Sequence, residues 1–147
     1  QKNLLKLYLN DVGMLTAQLY ANNIQAVMRE ERSVNLGAVY ESVVAQELAA
    51  HGFSLFYYDN RKNGEVDYLI DDYESLSVLP IEVKSGRDYT IHSALNKLLS
   101  NTDYHIKSAI VVSNERIVRQ VGNVKYLPIY YIMFLDKEEM GSEEVFF

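Results

Sequence analysis

The pattern of apolar residues predicts a single α/β domain. Segments with the helical period alternate along the chain with short apolar runs that have the two-residue period of strands. The 147 residues are 48% apolar, which is enough for one compact core and offers no obvious second unit. We therefore expect one domain over residues 1–135 and an acidic, solvated tail over residues 136–147.

The first predicted elements are a strand and a helix. Leu4 to Leu9 has the composition of a strand, and Asp11 is positioned to cap a helix that continues through Tyr20. The chain begins without Met and enters this apolar run almost at once. We interpret it as a fragment of a longer protein.

A second helix and a β-hairpin are more clearly marked. Apolar residues recur at helical spacing from Leu36 to Leu48, and Gly52 gives a stop signal. Phe53 to Asp59 is predicted to be a strand, Asn60 to Gly64 a turn, and Glu65 to Asp71 the partner strand. The hairpin is the first part of the predicted sheet.

The remaining elements alternate between strand and helix. Leu79 to Lys84 is predicted as a third strand, Ile91 to Leu99 as an amphipathic helix, and Lys107 to Ser113 as a buried strand. Pro128 is expected in the first turn of a last short helix that reaches Leu135. From Leu36 onward the predicted order is helix, three strands, helix, strand, helix.

Composition limits the function classes. The net charge is −6, from 20 acidic and 14 basic residues, which argues against tight autonomous binding to nucleic acid. Cysteine is absent, no apolar run approaches the ~20 residues that span a bilayer, and the N-terminus lacks an export signal. We interpret the protein as cytoplasmic.

Two short blocks place charged side chains inside predicted strands, Gly64-Glu65-Val66-Asp67 and Ile81-Glu82-Val83-Lys84. Charged groups are costly to order in an apolar layer unless something binds them. Because side chains alternate along a strand, Glu82 and Lys84 should share one face, opposite Val83. By the same rule Glu65 and Asp67 should share a face, opposite Val66 and Tyr68.

If these two strands are neighbours, their acids can form a metal site. Asp67 and Glu82 would bind one divalent ion, Mg²⁺ or Mn²⁺, with the Val83 carbonyl and waters completing an oxygen-only shell. Lys84 would orient the attacking water and offset charge on a phosphate. Glu41, on the preceding helix, is a further candidate that would support the metal. This chemistry suits phosphodiester hydrolysis.

Glu41, Gly64-Glu65-Val66-Asp67 and Ile81-Glu82-Val83-Lys84 resemble the helix acid, metal aspartate and E-x-K elements of the PD-(D/E)XK, or restriction-endonuclease-like, nuclease superfamily. The resemblance implies a mixed central sheet flanked by helices, with the acids at one edge. The sequence departs from the superfamily pattern at Val66, where proline often precedes the aspartate. That substitution is common among relatives.

A narrower resemblance covers residues 6–127, nearly the whole chain. Four blocks, Lys6 to Leu15, Gly37 to Glu41, Gly64 to Asp67 and Pro80 to Gly86, resemble the uncharacterised C-terminal domain of prokaryotic AAA-type ATP-binding proteins. The resemblance implies an ATPase module on the N-terminal side as a covalent partner, and it implies that ATP binds there. No Gly-rich phosphate loop occurs in the present sequence.

Simpler interpretations exist for several residues. Glu82 and Lys84 also fit an ordinary ion pair of little energetic value, and Asp67 also fits a surface residue of the hairpin with no role in a site. Glu65 is expected outside the metal shell and Glu47 in solvent. The three histidines lack metal-ligand spacing: His51 fits a helix end, and the other two, His92 and His105, fit a loop or helix surface.

Nucleic-acid contacts are also open to two interpretations. The tyrosine pairs Tyr57-Tyr58 and Tyr130-Tyr131 fit base stacking, but paired aromatics are more often core or interface. Basic residues near the predicted site would either contact a phosphate backbone or simply lie exposed to solvent. They are Arg61, Lys62, Arg87 and Lys97.

Two function classes follow. In the first, the domain is a metal-dependent nuclease whose access to nucleic acid is governed by the attached ATPase. In the second, the nuclease-like fold is catalytically inactive and serves as an interaction or regulatory module of the ATPase. The intact acids favour the first, whereas the acidic net charge favours the second.

Overall fold

The computed structural model of the chain describes residues 36–72, 76–86 and 88–135. The strand predicted from Leu4 to Leu9, the helix from Asp11 to Tyr20, the basic residue Arg87 and the acidic tail at residues 136–147 lie outside these ranges. The described segments include Glu41, the hairpin and the E-x-K strand.

The predicted second helix is confirmed as α1, Leu36–Ala50. Its apolar residues pack inward because they recur at helical spacing; Val44 and Leu48 are completely buried. The chain turns at Gly52, whose φ of +82° is a conformation that favours glycine. The Phe53 N–H donates to the Leu48 carbonyl at 3.0 Å and closes the helix end.

The predicted hairpin and third strand are also confirmed. Strands β1, Phe56–Asn60, β2, Gly64–Asp72, and β3, Ser77–Lys84, form an antiparallel meander. The first strand starts at Phe56, three residues later than predicted. The Asn60 side chain shapes the turn, since its Oδ1 accepts hydrogen bonds from the N–H groups of Lys62 and Asn63.

The chain then crosses to the other half of the sheet. Helix α2, Ser93–Ser100, leads through a short 3-10 turn, Thr102–Tyr104, to β4, Ala109–Ser113, which runs parallel to β3. Both α2 and β4 were predicted, and β4 is buried along its whole length, as its continuous apolar run indicates.

The predicted order is wrong after β4, because it omits a second hairpin. Strands β5, Arg119–Val121, and β6, Val124–Pro128, pair antiparallel across a turn at Gly122, whose φ is +60°. A short helix follows Pro128 as expected, although it is a 3-10 helix, Ile129–Phe134. The described strands form one mixed six-stranded sheet in the order β1-β2-β3-β4-β6-β5. The α/β prediction is confirmed.

Each face of the sheet has its own core cluster. The α1 face carries Tyr68, Ile81, Val83 and Val112, which pack with Val44 and Leu48 of α1. The α2 face carries Val66, Val111 and Tyr126, which pack with Leu95 and Leu98 of α2. The sheet is therefore the middle layer of three.

A β-bulge in β2 changes the face assignment predicted around Asp67. Phe56 is opposite Leu69 and Tyr58 is opposite Val66, so β2 has one more residue than β1 between these pairs. The predicted common face for Val66 and Tyr68 is wrong, because Val66 packs on the α2 face and Tyr68 on the α1 face. Asp67 lies between them, within the bulge.

Neither of the described α-helices has the length and apolar character needed to cross a membrane.

The turn that leads into β2 requires glycine at position 64. Gly64 has a φ of +90°, and a Cβ there would approach the Ala94 Cβ of α2 at 3.0 Å. We expect Gly64→Ala to lower the free energy of unfolding by more than about 1 kcal/mol, since it adds steric conflict to an unfavourable φ. The measurement is urea unfolding followed by circular dichroism.

Gly122→Ala is the matched control. Gly122 also has a positive φ, +60°, but nothing lies within 4 Å of the place that a Cβ would occupy there. Gly122→Ala should lower the free energy of unfolding only by the cost of placing alanine at a positive φ, about 1 kcal/mol. Equal destabilisation by the two substitutions would contradict a close packing of the hairpin turn against α2.

Candidate active site

The β-bulge brings the Asp67 carboxylate to the backbone of the neighbouring strand. The Val83 N–H donates a 2.7 Å hydrogen bond to Asp67 Oδ2, and Asp67 is only 9% exposed. A bulge takes a residue out of the regular ladder and redirects its side chain. The chain thus fixes one carboxylate of the predicted site from two sides, through its own strand and through β3.

Glu82 and Lys84 meet next to Asp67. Lys84 Nζ lies 2.9 Å from Glu82 Oε1, and Glu82 is 7% exposed, slightly less than Asp67. Ile81 and Val83 pack on the α1 face, so by strand alternation Glu82 and Lys84 project to the opposite, α2 face; a common face opposite Val83 was predicted for them. The structure therefore brings Asp67, Glu82 and Lys84 together at adjacent positions on β2 and β3.

The environment of Glu82 favours its protonated form. Burial raises the pKa of Glu82 above the ordinary value of 4.5, and the nearby charge of Asp67 raises it further. The hydrogen bond and positive charge of Lys84 oppose these two effects and lower the pKa. Two interacting carboxyl groups in a poorly solvated place are a setting in which a bound cation would stabilise the ionised forms.

One oxygen of this cluster lacks a protein partner. Glu82 Oε2 is buried, and no donor within the described residues reaches it. A carboxylate oxygen in that state fits a bound cation, because hard divalent ions take oxygen ligands. Across residues 36–72, 76–86 and 88–135, however, no group of three or more acidic, histidine or cysteine side chains is close enough to bind a metal. The assignment of Asp67 and Glu82 as metal ligands stays a prediction.

Glu41 occupies a different position. It lies on α1, and its backbone carbonyl accepts a 2.9 Å hydrogen bond from the Tyr68 hydroxyl. This bond ties α1 to the residue after Asp67. Within the described part of the chain the Glu41 carboxylate does not join Asp67 and Glu82 in a three-acid group. Its supporting role stays a prediction.

Two of the predicted basic residues come together beside the hairpin turn. Lys97 of α2 approaches the turn, where its Nζ donates to the Lys62 carbonyl at 3.4 Å. Arg61, Lys62 and Lys97 are exposed. The turn lies three residues before Asp67, at the end of the sheet where β3 finishes with Lys84. Their contact with nucleic acid stays a prediction.

The prediction of a surface position for His92 is wrong. His92 precedes α2 and is 6% exposed, and its Nε2 lies 2.7 Å from the Tyr126 hydroxyl. Its Nδ1 is buried without a partner among the described residues. Tyr126 belongs to β6, a strand that the sequence prediction omitted, so no pattern pointed to this contact.

Tyr89 and Arg119 also pack against the Tyr126 ring. The Tyr89 and Tyr126 rings meet edge to face at 5.8 Å, and the Arg119 guanidinium lies over both rings, 5.6 Å from the Tyr89 centroid and 5.0 Å from the Tyr126 centroid. These residues come from β5, β6 and the loop before α2. Sequence reasoning missed the group because it depends on the β5–β6 pairing.

Comparison with known protein families gives one finding. A family model described as Domain of unknown function (DUF4143) matches residues 36–132, well over half of the chain. The matched range includes Glu41, Asp67, Glu82 and Lys84. Searches of curated proteins and of solved structures gave no match.

Burial is the main cause of the raised Glu82 pKa, and the opposing charges of Asp67 and Lys84 modulate it, so substitutions of these two residues should move the pKa in opposite directions. We expect Asp67→Asn to lower the Glu82 pKa, because it removes a like charge, and Lys84→Met to raise it, because it removes the ammonium. The measurement is a carboxyl ¹³C NMR titration. Asp71→Asn, at an exposed position farther along β2, is the control and should leave the value unchanged.

The raised pKa also predicts how stability depends on pH. The folded chain holds the Glu82 proton more tightly than the unfolded chain, so ionisation of Glu82 lowers stability as pH rises from about 4.5 through the folded-state pKa. We expect Glu82→Gln to gain stability relative to the wild type as pH rises through that interval. Urea unfolding at several pH values and constant ionic strength measures the difference. A difference that does not vary with pH would refute the assignment.

Proposed function

We propose that this chain, which belongs to the family described as Domain of unknown function (DUF4143), catalyses metal-dependent hydrolysis of phosphodiester bonds in nucleic acid. The family description gives no activity, so the proposal is drawn from the chain's own site. The observation that carries the proposal is the cluster of Asp67, Glu82 and Lys84. Its acids are buried side by side, and its lysine lies 2.9 Å from Glu82. An ion pair kept only for stability would not need a second buried carboxylate beside it.

The residues present fit a divalent ion. Asp67 and Glu82 would hold it, and Glu82 Oε2 is the buried oxygen that no described donor satisfies. Bound there, Mg²⁺ or Mn²⁺ supplies Lewis acidity toward a phosphoryl oxygen and toward water. Glu82 must be ionised to bind the ion, so its raised pKa makes affinity decline on acidification.

Each of the three side chains has a distinct role in the proposed reaction. Asp67 is oriented by the Val83 N–H, which donates to Oδ2 and holds the carboxylate at β3, and we assign it as a ligand of the ion. Lys84 is half-buried, so its ammonium combines a fixed position beside Glu82 with access to solvent. We assign it to hold the attacking water and to offset the negative charge that develops on the phosphate as the bond to the leaving oxygen breaks.

We also propose the cellular setting that the resemblance implies. The domain would act behind an AAA-type ATPase module, with ATP bound in that module, in the cytoplasm. The support is the order of the sequence blocks and the lack of cysteine. A Gly-rich phosphate-binding loop in the reading frame upstream of Gln1 is the expected finding.

The alternative function is an inactive nuclease-like module that binds or regulates the ATPase. The net charge of −6 favours it, since a nuclease must attract a polyanion. The two functions predict different results for metal binding and for cleavage, so both properties are measured on the same variants.

We expect the chain to cleave labelled DNA or RNA with Mg²⁺ or Mn²⁺. Asp67→Asn should lose both cleavage and Mn²⁺ binding by calorimetry, because it removes a metal ligand. Lys84→Met should reduce cleavage by at least about 10²-fold while still binding Mn²⁺, because Lys84 acts on water and phosphate. The different effects of the two variants separate metal binding from catalysis.

Asp71→Asn is the control for loss of charge. Asp71 is an exposed acid on the same strand, and its substitution should alter neither Mn²⁺ affinity nor cleavage. A wild-type chain that cleaves neither DNA nor RNA and binds no Mn²⁺ would exclude the nuclease and support the regulatory module.

A further inference from the structure

Arg119 is an exposed arginine held in a fixed orientation by two aromatic rings. Its guanidinium lies over Tyr126 at 5.0 Å and over Tyr89 at 5.6 Å, and these rings also contact each other. Tyr126 is in turn fixed by the buried His92, whose Nε2 lies 2.7 Å from the Tyr126 hydroxyl. One of the two rings beneath Arg119, that of Tyr126, is therefore buried and hydrogen-bonded, and the other, that of Tyr89, is partly buried.

The free edge of the guanidinium suits an anion. Arg119 lies on the exposed strand β5, and within the described residues it forms no ion pair with a carboxylate. Stacking uses the face of the guanidinium and leaves its N–H groups directed outward. Those donors match two oxygens of a phosphate in bidentate geometry.

Strand register connects Arg119 to the carboxylate site. Glu82 is opposite Val111, Val111 is opposite Tyr126, and Tyr126 is opposite Arg119, so all four residues lie in one row across the sheet. Val111 and Tyr126 face α2, as Glu82 does. Strands lie about 4.8 Å apart, which puts the Arg119 backbone about 14 Å from that of Glu82. Val111 and Tyr126 are buried under α2, so this is the separation of two sites rather than a path along the row, and its length is that of a few nucleotides.

We propose that Arg119 binds a backbone phosphate of the nucleic acid, a few nucleotides from the phosphodiester at Asp67 and Glu82. The proposal rests on the proposed function, since it assigns the substrate's path relative to that site. The proposed contact also addresses the repulsion between a chain with a net charge of −6 and a polyanionic substrate, because such a chain needs positioned cations to hold nucleic acid. A stacked arginine has already lost much of its side-chain freedom, so binding costs less entropy than it would for a mobile lysine.

The test is a binding assay that does not depend on cleavage. Fluorescein-labelled single-stranded DNA, the matched RNA and the matched DNA duplex are titrated with the 147-residue chain in EDTA, and anisotropy is followed at several salt concentrations. Arg119→Gln should weaken binding of at least one probe about tenfold. It should also reduce the slope of log affinity against log salt by about 0.7 for a single strand or about 0.9 for the duplex.

Two further variants make the comparison specific. Arg116→Gln removes the same charge from the exposed segment just before β5, at a residue that contacts no aromatic ring in the described part of the chain. It should have a much smaller effect. Arg119→Lys keeps the charge but not the bidentate geometry, and its affinity should fall between those of the wild type and Arg119→Gln.

Equal weakening by Arg116→Gln and Arg119→Gln would overturn the proposal, because it would indicate diffuse attraction rather than a positioned contact. Wild-type binding to none of the three probes would overturn it as well. Weaker binding by Arg119→Gln in a chain that does not cleave would uphold the phosphate contact and reject the nuclease. Unchanged binding by Arg119→Gln in a chain that cleaves would uphold the nuclease and reject the contact.

Discussion

The burial of two carboxylates side by side is the constraint on which the site depends. Asp67 and Glu82 come from neighbouring strands and are each less than a tenth exposed. Donors of the chain offset their repulsion: the Val83 N–H donates to Asp67, and the Lys84 ammonium and the Asp67 backbone N–H donate to Glu82. Neighbouring carboxyl groups that are poorly solvated and interact electrostatically are rare in a core built for stability alone, and they are typical of sites that bind an ion or react.

The fold makes this arrangement possible through one local irregularity. The bulge in β2 turns Val66 toward α2 and Tyr68 toward α1, so both faces of the sheet are packed on either side of Asp67. Without the extra residue, Val66 and Tyr68 would share a face. The Tyr68 hydroxyl then anchors α1 at the Glu41 carbonyl. The bulge thus positions Asp67 between the two core layers and directs Tyr68 toward its hydrogen bond with α1.

Sequence patterns predicted the half of the fold in which side-chain periodicity is strong. Helix α2 has a clear apolar period, β4 is a continuous apolar run, and the acids stand out among the apolar residues of β2 and β3. The bulge was not predictable, because it depends on the register between β1 and β2 rather than on either strand alone. Strand β5 has only three residues and is exposed, so it carries no apolar alternation. The turn glycine at position 122 was the one available signal. Because β5 and β6 were not predicted, the contacts of His92, Tyr126 and Arg119 could not be predicted either.

The central claim is that Asp67 and Glu82 share one divalent cation. Crystals of the chain grown with Mn²⁺ and measured at an energy where manganese scatters anomalously test it directly. The expected result is an anomalous peak within coordination distance of oxygen atoms from both carboxylates, with the Lys84 ammonium displaced from its 2.9 Å contact or sharing Glu82 with the ion. Crystals that contain Mn²⁺ elsewhere, while Glu82 remains paired with Lys84 alone, would contradict it.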